Sequence, residues 1–143
     1  MKNQMTKLSL ATVSVIIITV SLITFGMSCK KSSDNANFTG TYTGTLVTGL
    51  FSEGDTVIIS AGSTSSSVVM QSKTARGSTY TIEGTVTGSS LNIPSQQVYV
   101  SSLAATYTTT GSGSINNSAL VINYTFTSTG GTSSNFVFNG TKN

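Results

Sequence analysis

The stretch Ala119–Thr127 reads Ala-Leu-Val-Ile-Asn-Tyr-Thr-Phe-Thr and shows the clearest alternation in the chain. Leu120, Ile122, Tyr124 and Phe126 occupy alternate positions, and mainly polar residues lie between them. Side chains of a β-strand point in turn to opposite faces, so a period of two indicates a strand with one buried face. This stretch therefore favours an all-β fold.

The same period of two recurs along most of the chain from residue 38 onward. Turn-forming residues, mainly Gly, Asn and Ser, separate the periodic segments, and no link is long enough or suitably patterned for a crossover helix. We therefore predict an antiparallel meander of eight or nine strands. The predicted strands cover residues 38–46, 55–61, 66–72, 78–87, 89–94, 96–101, 103–111, 119–127 and 134–141.

Two short stretches near the ends of this region resemble each other. Residues 38–41 read FTGT, and residues 138–141 read FNGT. A Gly between an inward aromatic residue and a Thr suits a place where two strands bend closely against each other. First and last strands are therefore predicted to pair and close the sheet as a small barrel, with a β-sandwich as the alternative.

The N-terminal part of the chain has a different composition. Lys2 and Lys7 precede or flank an apolar run over residues 8–25, and Ser28 and Cys29 follow it. Basic residues, an apolar run and small residues at its end are typical of a secretory signal, although this run is also long enough to span a bilayer. We predict a signal peptide over residues 1–28, with a retained membrane helix as the alternative.

Residues 22–29, LITFGMSC, resemble a lipobox, the site where a diacylglyceryl group is joined to a cysteine before cleavage. Gly26 stands where the usual pattern has Leu. The resemblance implies that Cys29 is lipidated and that the mature protein is a bacterial envelope lipoprotein of the outer membrane, with its periplasmic or surface face left open. Cys29 is the only cysteine, so no internal disulfide can form. An incidental thiol at the end of a membrane anchor is the alternative.

The chain is expected to comprise the signal peptide, a flexible tether over residues 29–37 and one all-β domain over residues 38–143. Removal of the signal leaves about 115 residues, the size of a single domain. It also lowers the side-chain charge from +3 to +1, because Lys2 and Lys7 are lost. The remainder has no basic stripe interleaved with aromatic residues, which argues against nucleic-acid binding.

Composition also argues against catalysis. The chain has no His, and its one Cys is assigned to the lipid, so nucleophilic Ser-His and Cys-His sites and His-based metal sites are excluded. The four carboxylates are Asp34, Glu53, Asp55 and Glu83. Glu53 and Asp55 flank Gly54 and are predicted to lie in a solvated turn, with a two-carboxylate or calcium site as the alternative. Glu83 is expected on an outer face. We therefore predict that the protein is not an enzyme and that it binds no cofactor and no metal ion.

Four tyrosines, Tyr42, Tyr80, Tyr107 and Tyr124, fall on the predicted apolar faces. Phenols that point into a small barrel could line a ligand site, because each buried hydroxyl needs a hydrogen-bond partner. The alternative is that they are ordinary core residues of a narrow barrel filled by side chains.

Residues 38–42, FTGTY, resemble the opening strand of the calycin group, which includes lipocalins and fatty-acid-binding proteins. In that group a Gly, any residue and a Trp begin the barrel, and Tyr42 stands in the Trp position. The chain has no Trp, and residues 48–54 are too few for the helical lid of fatty-acid-binding proteins. The resemblance implies a calycin-like barrel whose interior could hold a small apolar ligand.

The expected function is therefore a non-catalytic binding module for a small apolar ligand or an envelope partner, held at the membrane by the lipid on Cys29. A structural or adhesive cell-surface protein is the alternative, because Ser and Thr dominate the outer faces. The tripeptide Asp55-Thr56-Val57 also resembles an acceptor for the O-glycosylation found in related bacterial lipoproteins, and its modification stays open.

Overall fold

The structure, a computed structural model, describes residues 34–143. Eight antiparallel strands form one sheet in which each strand pairs with the next along the chain and β8 pairs with β1. The sheet is therefore a closed barrel, as predicted, and the sandwich alternative is wrong. The strands are β1 (Gly40–Thr48), β2 (Ser52–Ala61), β3 (Ser67–Thr74), β4 (Thr79–Thr87), β5 (Ser90–Val100), β6 (Ala105–Asn116), β7 (Ala119–Thr127) and β8 (Ser133–Lys142).

The barrel interior holds the apolar residues that the alternation placed on inward faces. On β7, for example, Leu120, Ile122, Tyr124 and Phe126 are all buried. Burial of these faces removes apolar surface from water at roughly 25 cal/mol per Å², which is the main term that stabilises the sheet. Closure leaves no strand with a neighbour on one side only, although β4 and β5 pair only over Thr85–Thr87 and Ser90–Asn92. Residues 34–143 contain all eight strands of the barrel and the whole described core, so this segment has what the barrel needs to fold by itself.

The barrel closes where β1 meets β8, and two glycines face each other there. Gly44 is paired with Gly140. An ideal Cβ on Gly44 would overlap the Asn139 carbonyl oxygen and lie 2.5 Å from the Cα of Gly140, so the two backbones approach too closely for a side chain. The predicted pairing of first and last strands is confirmed. Gly40, however, is not the partner of Gly140, because it begins β1 and pairs with Ile59 of β2.

One end of the barrel is closed by a short helix, α1 (Asn35–Phe38). Phe38, predicted to begin the first strand, lies in this helix and is fully buried, and the Tyr42 hydroxyl donates a hydrogen bond of 2.8 Å to its carbonyl oxygen. The ring of Phe38 therefore fills the end of the barrel instead of extending its sheet.

Hydrogen bonds from Asn35 connect α1 to the segment where β2 leads into β3. Its side-chain amide donates to the carbonyl oxygens of Thr64 and Ser67, at 3.1 and 3.3 Å, and the Asn35 side chain is buried. The predicted tether, residues 29–37, therefore overlaps the folded domain at its last three residues. A side-chain hydrogen bond of this kind leaves no periodic signal in the sequence, so the pattern could not reveal it.

Strand β5 is continuous where the sequence pattern predicted two strands. Its pairing with β6 shifts register between Ile93 and Gln96. Pro94 lies in this interval, and proline has no N–H to donate to a neighbouring strand. The interruption seen in the pattern is thus an irregularity within one strand.

Strand β6 extends to Asn116, beyond the predicted end at residue 111. Its inward positions there are Gly111 and Gly113, which carry no apolar side chain and so break the alternation. A Cβ on Gly111 would lie 2.9 Å from the Cα of Tyr124 on β7. Close packing against the neighbouring strand therefore explains why the strand continues without its pattern.

The predicted signal peptide, residues 1–28, its apolar run and Cys29 lie outside the described residues. Over residues 34–143, no helix has the length and apolar character needed to cross a membrane.

Candidate ligand-binding site

The end of the barrel opposite α1 is open. The links β1–β2, β3–β4, β5–β6 and β7–β8 all lie at this end, because successive links of an antiparallel meander alternate between the two ends. A cavity of about 590 Å³, here called the mouth cavity, opens among them. Its apolar wall is formed by Leu46, Phe51, Tyr80, Val100, Leu103, Tyr107, Phe126 and Phe136.

Phe126 is the centre of the aromatic wall. Its ring meets those of Tyr80 and Phe136 edge-on, with centroids 5.3 Å apart in both cases. It also meets Tyr107 and Tyr124 edge-on, at 5.9 and 5.6 Å. Edge-to-face contacts at these separations add to the stabilisation from area burial alone. The wall is therefore a rigid apolar surface on one side of the cavity.

The four tyrosines that the sequence singled out are not brought together. Tyr80 and Tyr107 line the mouth cavity. Tyr124 lies below its floor, where its hydroxyl is 2.6 Å from that of Tyr80. Tyr42 lies toward the closed end with its hydroxyl on Phe38. Side chains fill the barrel between these two regions, so a ligand has room at the mouth and not along the whole axis.

Glu53 and Asp55 are not in a solvated turn, and this expectation is wrong. Strand β2 begins at Ser52, and both carboxylates occupy inward positions on it, in line with Val57 and Ile59. The turn lies earlier, at residues 49–51, because Thr45 pairs with Gly54 and Gly44 with Asp55. Two acidic residues next to a Gly are typical of a turn, and only the pairing with β1 reveals that they continue the strand.

Asp55 is buried beneath the mouth cavity. Both of its carboxylate oxygens accept from the Ser72 hydroxyl, at 2.9 and 2.7 Å. Burial raises the pKa of Asp55 above its ordinary value, and this effect outweighs the hydrogen bonds from Ser72 and from the backbone, which lower it. The protonated form of Asp55 is therefore favoured by folding.

The two buried phenols beside Asp55 are held neutral. Burial raises the pKa of Tyr80 to about 12, against the hydrogen bonds with the Ser72 and Tyr124 hydroxyls that lower it. Burial also raises the pKa of Tyr124, and the nearby Tyr80 and Asp55 add to that rise. Both groups therefore remain phenols that can donate or accept a hydrogen bond at neutral pH.

The Asp55→Asn variant is expected to lose part of the pH dependence of stability. The folded-state pKa of Asp55 is raised, so its contribution is fully present below the ordinary value of 3.8 and is lost as pH rises through the folded-state pKa. The wild-type free energy of unfolding should therefore fall more steeply than that of the variant as pH rises above the ordinary value of 3.8. Urea denaturation followed by circular dichroism at several pH values measures this difference.

The matched control is Glu83→Gln, which removes an exposed carboxylate from the outer face of β4. In this variant the free energy of unfolding should fall with pH as steeply as in the wild type. An equally steep fall in the wild type and in Asp55→Asn would contradict the raised pKa of Asp55.

Glu53 and Arg76 are the charged residues that line the mouth cavity. The Glu53 side chain is only 10 % exposed, and the Nε of Arg76 lies 3.5 Å from its Oε2. This separation exceeds the roughly 2.7–2.9 Å of a charge-assisted hydrogen bond, and within residues 34–143 that oxygen has no hydrogen-bond donor. The Arg76 side chain is 67 % exposed, with its guanidinium 4.7 Å from the centroid of the Phe51 ring.

Glu83 lies apart from Glu53 and Asp55. It lies on the outer face of β4, as expected, where the Gln96 side chain binds its backbone N–H and carbonyl at 2.9 and 2.7 Å. Among residues 34–143, no three Asp, Glu, His or Cys side chains gather at one point as metal ligands would. Thr56 of the tripeptide that resembles a glycosylation acceptor is half-buried on β2.

Two other depressions are shallower and less apolar in character. One, of about 770 Å³, lies at the closed end among Asn37, Asn116, Asn117 and Lys142. The other, of about 620 Å³, lies on the outer face, where Ile58 and Tyr99 are exposed. Ligand sites in proteins are mostly apolar clefts with few polar groups, so the mouth cavity is the candidate site.

The sequence analysis missed most of the mouth cavity, including Phe126 and Phe136 as lining residues. In an up-and-down barrel every second link shares one end, so inward residues next to those links must meet there. Applied to the eight observed strands, this rule groups Leu46, Val100 and Phe126 with Tyr80. The prediction divided β5 into two strands, which shifts the count of links by one and would have placed Val100 and Phe126 at the opposite end.

A scan against protein-family models finds no match to this chain, and a search of curated proteins finds no similar sequence. The fold and the site geometry are therefore the basis for a functional proposal.

Proposed function

We propose that this protein is a lipid-anchored envelope protein whose barrel binds a small apolar ligand in the mouth cavity, without catalysis. The observation that carries the proposal is the mouth cavity itself. Its volume, about 590 Å³, lies within the roughly 300–1,000 Å³ typical of small-molecule sites. The aromatic wall around Phe126 supplies an apolar surface, and few charged groups interrupt it.

The position of the chain entry supports the same function. The helix α1 and the first described residues lie at the closed end, so they do not occupy the mouth cavity. The signal-like N-terminal residues, the lipobox resemblance and the single cysteine support lipidation and an outer-membrane location.

Absence of catalysis is part of the proposal. The chain has no His, so a hydroxyl nucleophile near the cavity has no imidazole base. The up-and-down order of eight strands also supports the resemblance of residues 38–42 to the calycin group, in which the barrel serves for binding. A structural or adhesive role through the Thr-rich outer faces is the second candidate, favoured by the exposed hydroxyls of β1 and β4.

Lipidation is tested by intact mass spectrometry of the full chain purified from its native membrane, with Cys29→Ala for comparison. We expect a mature mass that begins at Cys29 with acyl chains added, and loss of that species in the variant. An unprocessed chain beginning at Met1 would contradict the lipoprotein assignment. Extracts of the same wild-type sample serve to identify apolar molecules that co-purify.

Ligand binding is tested with the segment 34–143 and the neutral apolar fluorophore N-phenyl-1-naphthylamine. We expect saturable fluorescence enhancement with micromolar affinity, which corresponds to about −8 kcal/mol. Leu46→Asp, which places a charge in the apolar wall, should weaken binding at least about tenfold, and Ile58→Asp on the outer face should not. No saturable binding, or equal loss in both variants, would favour the structural role instead.

A further inference from the structure

We infer that the mouth cavity selects amphiphiles whose head is a hydrogen-bond-donating cation, such as a primary ammonium, which the buried Glu53 carboxylate receives. The inference rests on the proposed function and adds the charge of the ligand head. The main observation is the position of Glu53. It lies on the inward face of β2 and lines the mouth cavity together with the residues of the apolar wall.

Glu53 is an acceptor without a hydrogen-bond donor. Its Oε2 is buried, and within residues 34–143 no group donates a hydrogen bond to it. A buried carboxylate oxygen left in this way is costly, because it has lost water and gained no equivalent partner. A ligand that brings an N–H group into the cavity would supply that partner.

Arg76 does not fill this role in the free protein. Its Nε is 3.5 Å from Oε2, and most of its side chain is exposed to water. Its guanidinium also lies over the Phe51 ring at the rim. Arg76 therefore remains at the rim as a nearby positive charge. An ammonium group within the cavity can approach the Glu53 carboxylate more closely than Arg76 does.

The surrounding charge disfavours the opposite ligand class, an amphiphile with a carboxylate head. Asp55 lies directly below Glu53 on the same face of β2. An anionic head in the cavity would meet the Glu53 carboxylate, and Arg76 is already beside that carboxylate. Repulsion between like charges at short range makes this arrangement unfavourable.

The apolar wall supplies the second half of the recognition. Phe126, Phe136 and Tyr107 face the cavity, while Glu53 and Arg76 lie on its polar side. An alkyl or aromatic body packed on the wall places its head next to Glu53. The cavity thus matches an amphiphile in shape as well as charge.

The test compares three ligands with the same chain length: n-octylammonium, n-octanol and n-octanoate. Each is used below its micelle-forming range to displace N-phenyl-1-naphthylamine from the segment 34–143 at pH near 7. We expect octylammonium to displace the probe at a concentration about tenfold lower than octanoate, as one charge-assisted hydrogen bond allows. Octanol should fall between them.

Two variants separate the role of Glu53 from general effects. Glu53→Gln should bring the ratio of the octylammonium and octanoate displacement concentrations close to one. Glu83→Gln, on the outer face and outside the cavity lining, should keep the wild-type ratio and the wild-type octanol displacement. If Glu53→Gln does not fold, Arg76→Gln still decides the matter, because loss of this exposed counter-charge should raise the preference for octylammonium a few-fold.

The possible results distinguish a failure of the inference from a failure of the proposed function. Equal displacement by all three ligands, or tighter binding of octanoate than of octylammonium, would overturn the inference and leave apolar binding intact. Failure of octanol and of the probe itself to bind would overturn the proposed function.

Discussion

The Phe126→Ala variant is expected to lower the free energy of unfolding by about 3–5 kcal/mol, the usual cost of removing a buried aromatic ring. Phe126 is 7 % exposed, and its ring makes edge-to-face contacts with four other aromatic rings. Truncation removes these contacts and leaves an empty volume that the rigid sheet cannot close. Urea unfolding of segment 34–143, followed by circular dichroism, measures the loss.

The same variant should weaken binding of N-phenyl-1-naphthylamine, because it removes the centre of the aromatic wall. Phe51→Ala is the matched control: Phe51 lines the rim from the β1–β2 link and is only half-buried, so we expect a stability loss of about 1 kcal/mol or less. If Phe126→Ala does not fold, Phe126→Leu should still lose about 1–2 kcal/mol. Equal stability losses for Phe126→Ala and Phe51→Ala would contradict the central place of Phe126.

The Gly44→Ala variant is expected to destabilise the barrel by about 1–3 kcal/mol, the usual range for forced overpacking. A Cβ at this position would meet backbone atoms of Asn139 and Gly140, which cannot rotate away as a flexible side chain could. Strands β1 and β8 must then separate locally. Loss of amide hydrogen-exchange protection should therefore concentrate along β1 and β8.

Gly54→Ala serves as its control, since it is also a strand glycine. A Cβ on Gly54 would lie 3.8 Å from the Cβ of Ala75, an ordinary contact, and Gly54 is exposed. Replacing such a glycine should be neutral or stabilise the fold by a few tenths of a kcal/mol up to about 1 kcal/mol, because it restricts the unfolded chain. A stability loss in Gly54→Ala that matched the loss in Gly44→Ala would show that the closure contact is not the cause.

Alternation and link length were sufficient to predict an antiparallel meander, and they left open whether it folds as a barrel or as a sandwich. Inward and outward positions follow from the period of two, and short links between strands leave only antiparallel neighbours. The resemblance of the FTGT and FNGT stretches then predicted that the first and last strands pair. The pairing was right although the facing glycine is Gly44 and not Gly40, because the general need for close approach at the closure does not specify the register.

Two features lay beyond local pattern. The β6 strand continues past Gly111, because an inward glycine there makes room for Tyr124 of the next strand. The α1 helix depends on Asn35, whose amide binds carbonyls about thirty residues away. Each contact joins residues that are distant in the chain, so no window of sequence contains both partners.

The sequence by itself determined that this chain forms an all-β antiparallel meander with Thr-rich outer faces, because strand periodicity and link length are local properties. Only the tertiary structure decided that the sheet closes as a barrel and not as a sandwich, where the barrel is filled and where it is open. The register between β1 and β2 turned Glu53 and Asp55 inward, and closure by α1 left the mouth cavity at the opposite end. Both depend on long-range pairing, and a shift of one residue in that pairing would have put the same carboxylates in water.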